Sequence, residues 1–120
     1  MKDRKMNVEA AMKKYAGRLN DPDASASVTG ACGDTMEFYL NMGGDKIKEV
    51  LFYADGCGYT AACGAVAAFY ADGRALEEAL FVSPGLIIKT LGNVPADHRH
   101  CAILAATTLH KAIADHLLKD

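Results

Sequence analysis

Between residues 35 and 42 the apolar side chains Met36, Phe38, Leu40 and Met42 alternate with Glu37, Tyr39 and Asn41. An alternation of period two is what a strand with one buried face requires. The segment "SASVTG" precedes it, and "IKEVLFYA", rich in branched and aromatic residues, follows after the turn residues "GGDK". These stretches predict a three-stranded antiparallel meander.

Elsewhere the period is helical. Val8, Ala11, Met12, Tyr15 and Leu19 recur at helical spacing, predicting an amphipathic helix over about residues 6–18 that ends at "NDPD". From Tyr59 onward, "YTAACGAVAAFYADG" reads as a helix stopped by Gly73 and "ALEEAL" as a short second one. "SPGLIIKTLG" opens on Ser-Pro and stops at Gly92, and "HCAILAATTLHKAIADHLL" closes the chain as a long helix. Strands first and helices afterward predict an α+β fold: a small three-stranded antiparallel sheet with helices packed on one face, preceded by an N-terminal helix. No repeat, linker or low-complexity segment interrupts the pattern, so residues 1–120 are expected to form a single domain.

Composition narrows the class. A chain of 120 residues, 51% hydrophobic and 23% charged, is large enough for one continuous core and has no disordered or fibrous signature. A net charge of -2 with a pI near 6.0 provides no overall basic field, so no nucleic-acid partner is expected. The longest apolar runs, such as "GAVAAFYA", fall short of the roughly 20 residues of a spanning helix. The opening "MKDRKMNVEAAMKKY" has no apolar signal core; the expected address is the cytoplasm, with no membrane association. Lys2, Arg4, Lys5, Lys13, Lys14 and Arg18 cluster in or beside the first helix. They read as a solvated face, with a docking surface for an acidic partner as the alternative.

The candidate chemistry is in the cysteines. A chain expected in a reducing compartment uses clustered cysteine for metal or redox chemistry, so Cys32, Cys57, Cys63 and Cys101 are expected to be reduced. Cys32 sits in "TGACGD" between two predicted strands, Cys57 in "DGCGYT" between the last strand and the next helix, and Cys101 in "HRHCAIL" at the start of the last helix. All three lie at element ends, where loops bring side chains together. A helix N-terminus lowers a thiol's pKa, which is expected for both Cys57 and Cys101. Gly33, Gly56 and Gly58 leave room for a bulky inorganic group. Cys63 falls inside the predicted helix among alanines and reads as core, with an additional ligand or resolving thiol as the alternative. Asp34 is a hard oxygen donor beside soft sulfur, suited to a site that releases its metal, although an Asp there also caps a turn. His100, directly before Cys101, is a second candidate for the fourth ligand. His98 is less well placed, and His110 and His116 read as solvent-facing.

From about residue 28 to residue 117 the chain resembles the U-type iron-sulfur scaffold family, the IscU and NifU N-terminal-domain proteins. The resemblance runs in family order through "GACGDTMEFYL", "ADGCGYTAACGA", "GRALEEAL" and "HRHCAILAATTLHKAI". It implies a non-enzymatic scaffold on which a transient [2Fe-2S] cluster is assembled from iron and from sulfur supplied by a cysteine desulfurase, then passed to apo-proteins. It further implies Cys32, Cys57 and Cys101 as ligands, with Asp34 and His100 at the family's aspartate and histidine positions, and Cys101 as the persulfide acceptor. Zinc is the alternative occupant of the same donors in the purified protein.

The chain also departs from the family. Where many members carry Leu-Pro-Pro-Val-Lys, a chaperone recognition site, this one reads "LGNVPADHRHC", so the resemblance carries no chaperone partner over. The family often has serine where Cys63 stands. Two other functions compete: a zinc-bound sulfurtransferase releasing persulfide from Cys101, and a structural zinc domain that unfolds on chelation.

Overall fold

The structure, a computed structural model, describes residues 6–119. The order is α1 (Val8–Tyr15), β1 (Ala24–Thr29), β2 (Thr35–Gly43), β3 (Lys46–Asp55), α2 (Gly58–Ala71), α3 (Leu76–Ala79), α4 (Pro84–Leu91), a 3-10 turn (Ala96–His98) and α5 (Arg99–Leu117). The α+β architecture is as the periodicity predicts, and the 3-10 turn is an addition.

The strands form one antiparallel sheet in the order β1-β2-β3. Phe38 pairs with Phe52 and Leu40 with Val50, which puts Met36, Phe38, Leu40, Val50 and Phe52 in the core. Ile47 joins that face although it is three residues from Val50. The reason is a bulge: Asn41 pairs with Glu49 but Met42 with Ile47, so Lys48 is left over and the alternation resets. The other face carries Glu37, Tyr39 and Tyr53.

Helices α2 and α5 cover the apolar face, with α1 and α4 packed against them. The alanines of α2 let it sit buried between neighbours, with Cys63, Ala65, Val66, Ala67 and Ala68 fully covered. It approaches the sheet tightly at Gly64, where a Cβ would stand 2.7 Å from the Phe52 ring. No helix among the described residues is long and apolar enough to cross a membrane.

The first helix is shorter than its periodicity predicts. After Tyr15 the chain turns into the free edge of β3: Ala16 bridges Phe52, and the Gly17 amide donates to the Phe52 carbonyl at 2.8 Å. Ladder hydrogen bonds thus replace the last helical turn. Arg18 leaves the basic helical face as a result. Its guanidinium lies 3.9 Å from the Tyr53 ring centroid, and its Nε donates to Glu37 Oε1 at 2.9 Å. Lys13 and Lys14 remain exposed on α1, whereas Lys2, Arg4 and Lys5 lie outside the described residues.

Candidate metal centre

Three chain segments meet at one end of the sheet. The β1–β2 loop is a tight turn in which the Gly30 amide donates to the Asp34 carbonyl at 2.8 Å and the Gly33 amide to the Gly30 carbonyl at 3.0 Å. Gly33 has φ +91, a left-handed conformation that glycine adopts without strain. The turn presents Cys32 to solvent and directs Asp34 inward.

Cys57 is the N-cap of α2, in extended conformation, with its carbonyl accepting from the Thr60 amide at 3.0 Å. Cys101 is in the first turn of α5, where the preceding 3-10 turn folds His98 back over α2. The His98 ring stacks on Tyr59 with centroids 4.4 Å apart.

The donor atoms fall into two groups of three. The Cys57 and Cys101 sulfurs and a His98 ring nitrogen lie within 4.8 Å of one another, and so do the donors of Cys32, Asp34 and His100. The groups adjoin, since His100 Nε2 is 3.7 Å from Cys101 Sγ. Cys63 belongs to neither; it is fully buried in the core beneath the site.

Thr60 is buried between the groups. Its hydroxyl donates to Asp34 Oδ2 at 2.6 Å, and its Oγ1 is 3.5 Å from both Cys57 Sγ and Cys101 Sγ. Gly56 makes this arrangement fit: a Cβ there would stand 2.6 Å from the Asp34 carboxyl and 2.9 Å from Thr60 Oγ1. A steric need next to the site accounts for this glycine.

Cys57, Cys101 and Cys63 titrate differently. Cys57 is lowered to about 7, by the Thr60 hydroxyl foremost, then by the Thr60 and Tyr59 amides at the helix start and by His98; partial burial opposes them. The helix N-terminus therefore acts on Cys57 as its position predicts. Cys101 goes the other way. Burial raises its thiol, with the Cys57 sulfur and the Asp34 carboxylate adding to the rise while Thr60 offsets part of it. The lowered Cys101 thiol expected from its helix start is thus corrected: the side chain turns into the core, where desolvation outweighs the helix dipole. Burial pushes Cys63 up to about 12, with Cys101 and Cys57 contributing in the same direction.

The histidines also depart from expectation. His98, ranked below His100 by sequence, lies 3.7 Å from Cys57 Sγ. His110 does not face solvent: it is half-buried, with Nε2 2.8 Å from the Val82 carbonyl, because the segment after α3 packs over α5. Thr60 is a site residue the sequence reading leaves unnamed, and His98 one it ranks too low. Both had a spacing signal. Thr60 stands three residues after an N-cap cysteine, where side chains meet across the first helical turn, and His98 stands three before Cys101, one turn away.

Residues 7–120 match the family model described as the NifU-like N-terminal domain. Among curated proteins, the chain is 32% identical over 108 residues to an iron-sulfur cluster assembly scaffold protein, IscU 1, of Archaeoglobus fulgidus, covering 89% of this chain and 71% of that protein. It is 36% identical over 92 residues to the scaffold protein IscU of Aquifex aeolicus, covering 75% of this chain and 59% of the relative. Among solved structures, the fold is similar to a NifU-like N-terminal protein from Brucella abortus, with a TM-score of 0.70 over 94% of this chain and 93% of the other at 20% identity. The chain belongs to the family of NifU-like N-terminal domains.

Proposed function

We propose that this protein is a scaffold on which a [2Fe-2S] cluster is built from ferrous iron and persulfide sulfur, and from which the cluster passes to recipient apo-proteins. One observation carries the reading: soft and hard donors from three separate segments converge in two adjoining groups at one end of the molecule. The scaffold names of the relatives support it. A [2Fe-2S] cluster takes two protein ligands per iron, and four cysteines make a lasting electron carrier. Cys32, Cys57 and Cys101 with the Asp34 carboxylate make a looser set, because a hard oxygen suits soft iron-sulfur chemistry poorly and leaves readily. His100 is the alternative fourth donor. Cys63, buried and hard to ionise, serves the core.

A cysteine desulfurase supplies the sulfur in this reading. A thiolate attacks the outer sulfur of the desulfurase persulfide, the new S–S bond forms, and the desulfurase thiolate leaves. Cys57 is exposed, readily ionised and next to Cys101, and it meets the incoming persulfide first. Its sulfur is within 4.8 Å of that of Cys101, so a second exchange carries the sulfur to Cys101, the acceptor the family resemblance implies. Each persulfide sulfur gains two electrons on becoming sulfide; the two irons going from ferrous to ferric supply half of them and an external reductant the rest.

The test is anaerobic reconstitution with ferrous iron, cysteine, a desulfurase and a thiol reductant, followed by absorption and Mössbauer spectra and by transfer to an apo-ferredoxin. A brown product with two antiferromagnetically coupled irons that moves to the ferredoxin is expected. A colourless protein that keeps zinc and only relays sulfur would overturn the reading in favour of a zinc-bound sulfurtransferase.

A further inference from the structure

We propose that His98 is a metal ligand, forming with Cys57 and Cys101 a pocket of two thiolates and one imidazole that takes the first metal ion. The Cys32–Asp34–His100 group then receives the second. The inference rests on the scaffold reading and goes beyond its ligand set, in which the only histidine is His100.

Geometry is the main support. Two ligands sharing one tetrahedral ion at ordinary metal–nitrogen and metal–sulfur lengths are separated by about 3.6–3.8 Å. The His98 nitrogen is 3.7 Å from Cys57 Sγ across a sequence separation of 41 residues. Such proximity is not local: it depends on the 3-10 turn laying the ring against the start of α2. His100 has the same 3.7 Å to Cys101, but those two are chain neighbours, so that distance says less.

The ring is also held. Its face stacks on Tyr59, two residues beyond Cys57, and the His98 amide donates to the Pro95 carbonyl at 2.9 Å, closing the turn that carries it. A ligand fixed before the ion arrives loses little rotational freedom on binding. The donor sets then order the loading. Sulfur and imidazole suit iron and zinc better than a carboxylate does, and the pocket holding the buried Cys101 is the more sheltered of the two. Among the described residues the pocket has three donors, which leaves a fourth coordination position open for a first sulfide; the second bridging sulfide would displace one of the three, giving the two protein ligands per iron of a [2Fe-2S] cluster.

Two measurements on the reduced, metal-free chain test this. In an anaerobic cobalt(II) titration followed by its d–d and sulfur-to-cobalt bands, His98→Ala is expected to weaken the first ion by at least ~10-fold. His100→Ala should leave the first-ion bands unchanged and weaken only the second. In long-range proton–nitrogen NMR of the unmutated chain, the first equivalent of zinc should shift a His98 ring nitrogen and leave those of His100 in place. A His98 ring unmoved by the first equivalent, or a His98→Ala variant that binds the first cobalt as the parent does, would overturn the assignment. Cys57→Ser and Cys101→Ser separate this outcome from failure of the scaffold reading. If they lose the first ion while His98→Ala keeps it, only the His98 assignment falls; if they too bind normally, the site itself is wrong.

Discussion

Replacing Thr60 with valine keeps the side-chain shape and removes one hydroxyl from the junction of Asp34, Cys57 and Cys101. That hydroxyl is the largest influence holding the Cys57 thiol at about 7 against an ordinary 9.0. At pH 7 about half of the Cys57 thiols are ionised, against ~1% of an ordinary thiol, a ~50-fold gain in thiolate. A thiolate two units less basic is ~6–10-fold less nucleophilic, so the net advantage is ~5–8-fold. Thr60→Val should remove much of it. The sign follows from the protonation: alkylation is slow below the Cys57 midpoint, rises through it and levels off above.

The assay is the rate of iodoacetamide labelling of the reduced, metal-free protein across pH, with the Cys57 peptide followed by mass spectrometry. The unmutated chain should show a midpoint near 7, Thr60→Val one displaced toward 9, and Thr60→Ser a return toward the original. The lost bond to the Asp34 carboxylate should also cost about 1.5–2 kcal/mol of apo stability, the lower part of the range for hydrogen bonds to charged groups, because Asp34 is half-buried and regains water. An unchanged midpoint in Thr60→Val would refute the role given to this hydroxyl. Labelling of Cys101 as fast as Cys57 would refute the burial argument beside it.

The Asp34 carboxylate competes with the Cys57 sulfur for the single Thr60 proton, so Asp34→Ala should lower the Cys57 labelling midpoint further, and transfer of a reconstituted cluster to an apo-ferredoxin should slow while assembly proceeds. Cys63→Ala should lower stability in thermal unfolding by roughly 1 kcal/mol, the order of a small side chain lost from a packed site, and leave the cluster's absorption spectrum unaltered. A changed spectrum with normal stability would make Cys63 a ligand. Gly64→Ala places a methyl 2.7 Å from the Phe52 ring and 3.0 Å from Met36 Sδ. Overpacking of ~1–3 kcal/mol should exceed the ~1 kcal/mol that alanine gains over glycine in a helix, and a raised melting temperature would contradict the close α2–β3 contact.

Much of this molecule is legible along the chain because its determinants are local. The period-two alternation of Met36, Phe38 and Leu40 and the helical period from Tyr59 onward depend only on backbone repeat and side-chain polarity, so the element order and the α+β class follow directly. Cys57 at the start of a helix is equally local: its lowered thiol comes foremost from the Thr60 hydroxyl, three residues away, and then from amides two and three residues away. Other features belong to the tertiary structure alone. Cys101 has the same kind of position, yet its thiol rises, because its side chain is buried against Thr60 of α2 and desolvation depends on what packs around it. Ile47 shares a face with Val50 only because the bulge at Lys48 resets the register, and α1 stops at Tyr15 only because a free strand edge competes for its amides. His98 and Thr60 reach the centre by contacts between residues 26 to 41 positions apart, set by how α5 and its leading turn lie across α2. Residue type and spacing determined which side chains could bind a metal; the packing angle between two helices and a sheet decided which of them meet, since that angle comes from side-chain packing across the whole core and not from any one segment.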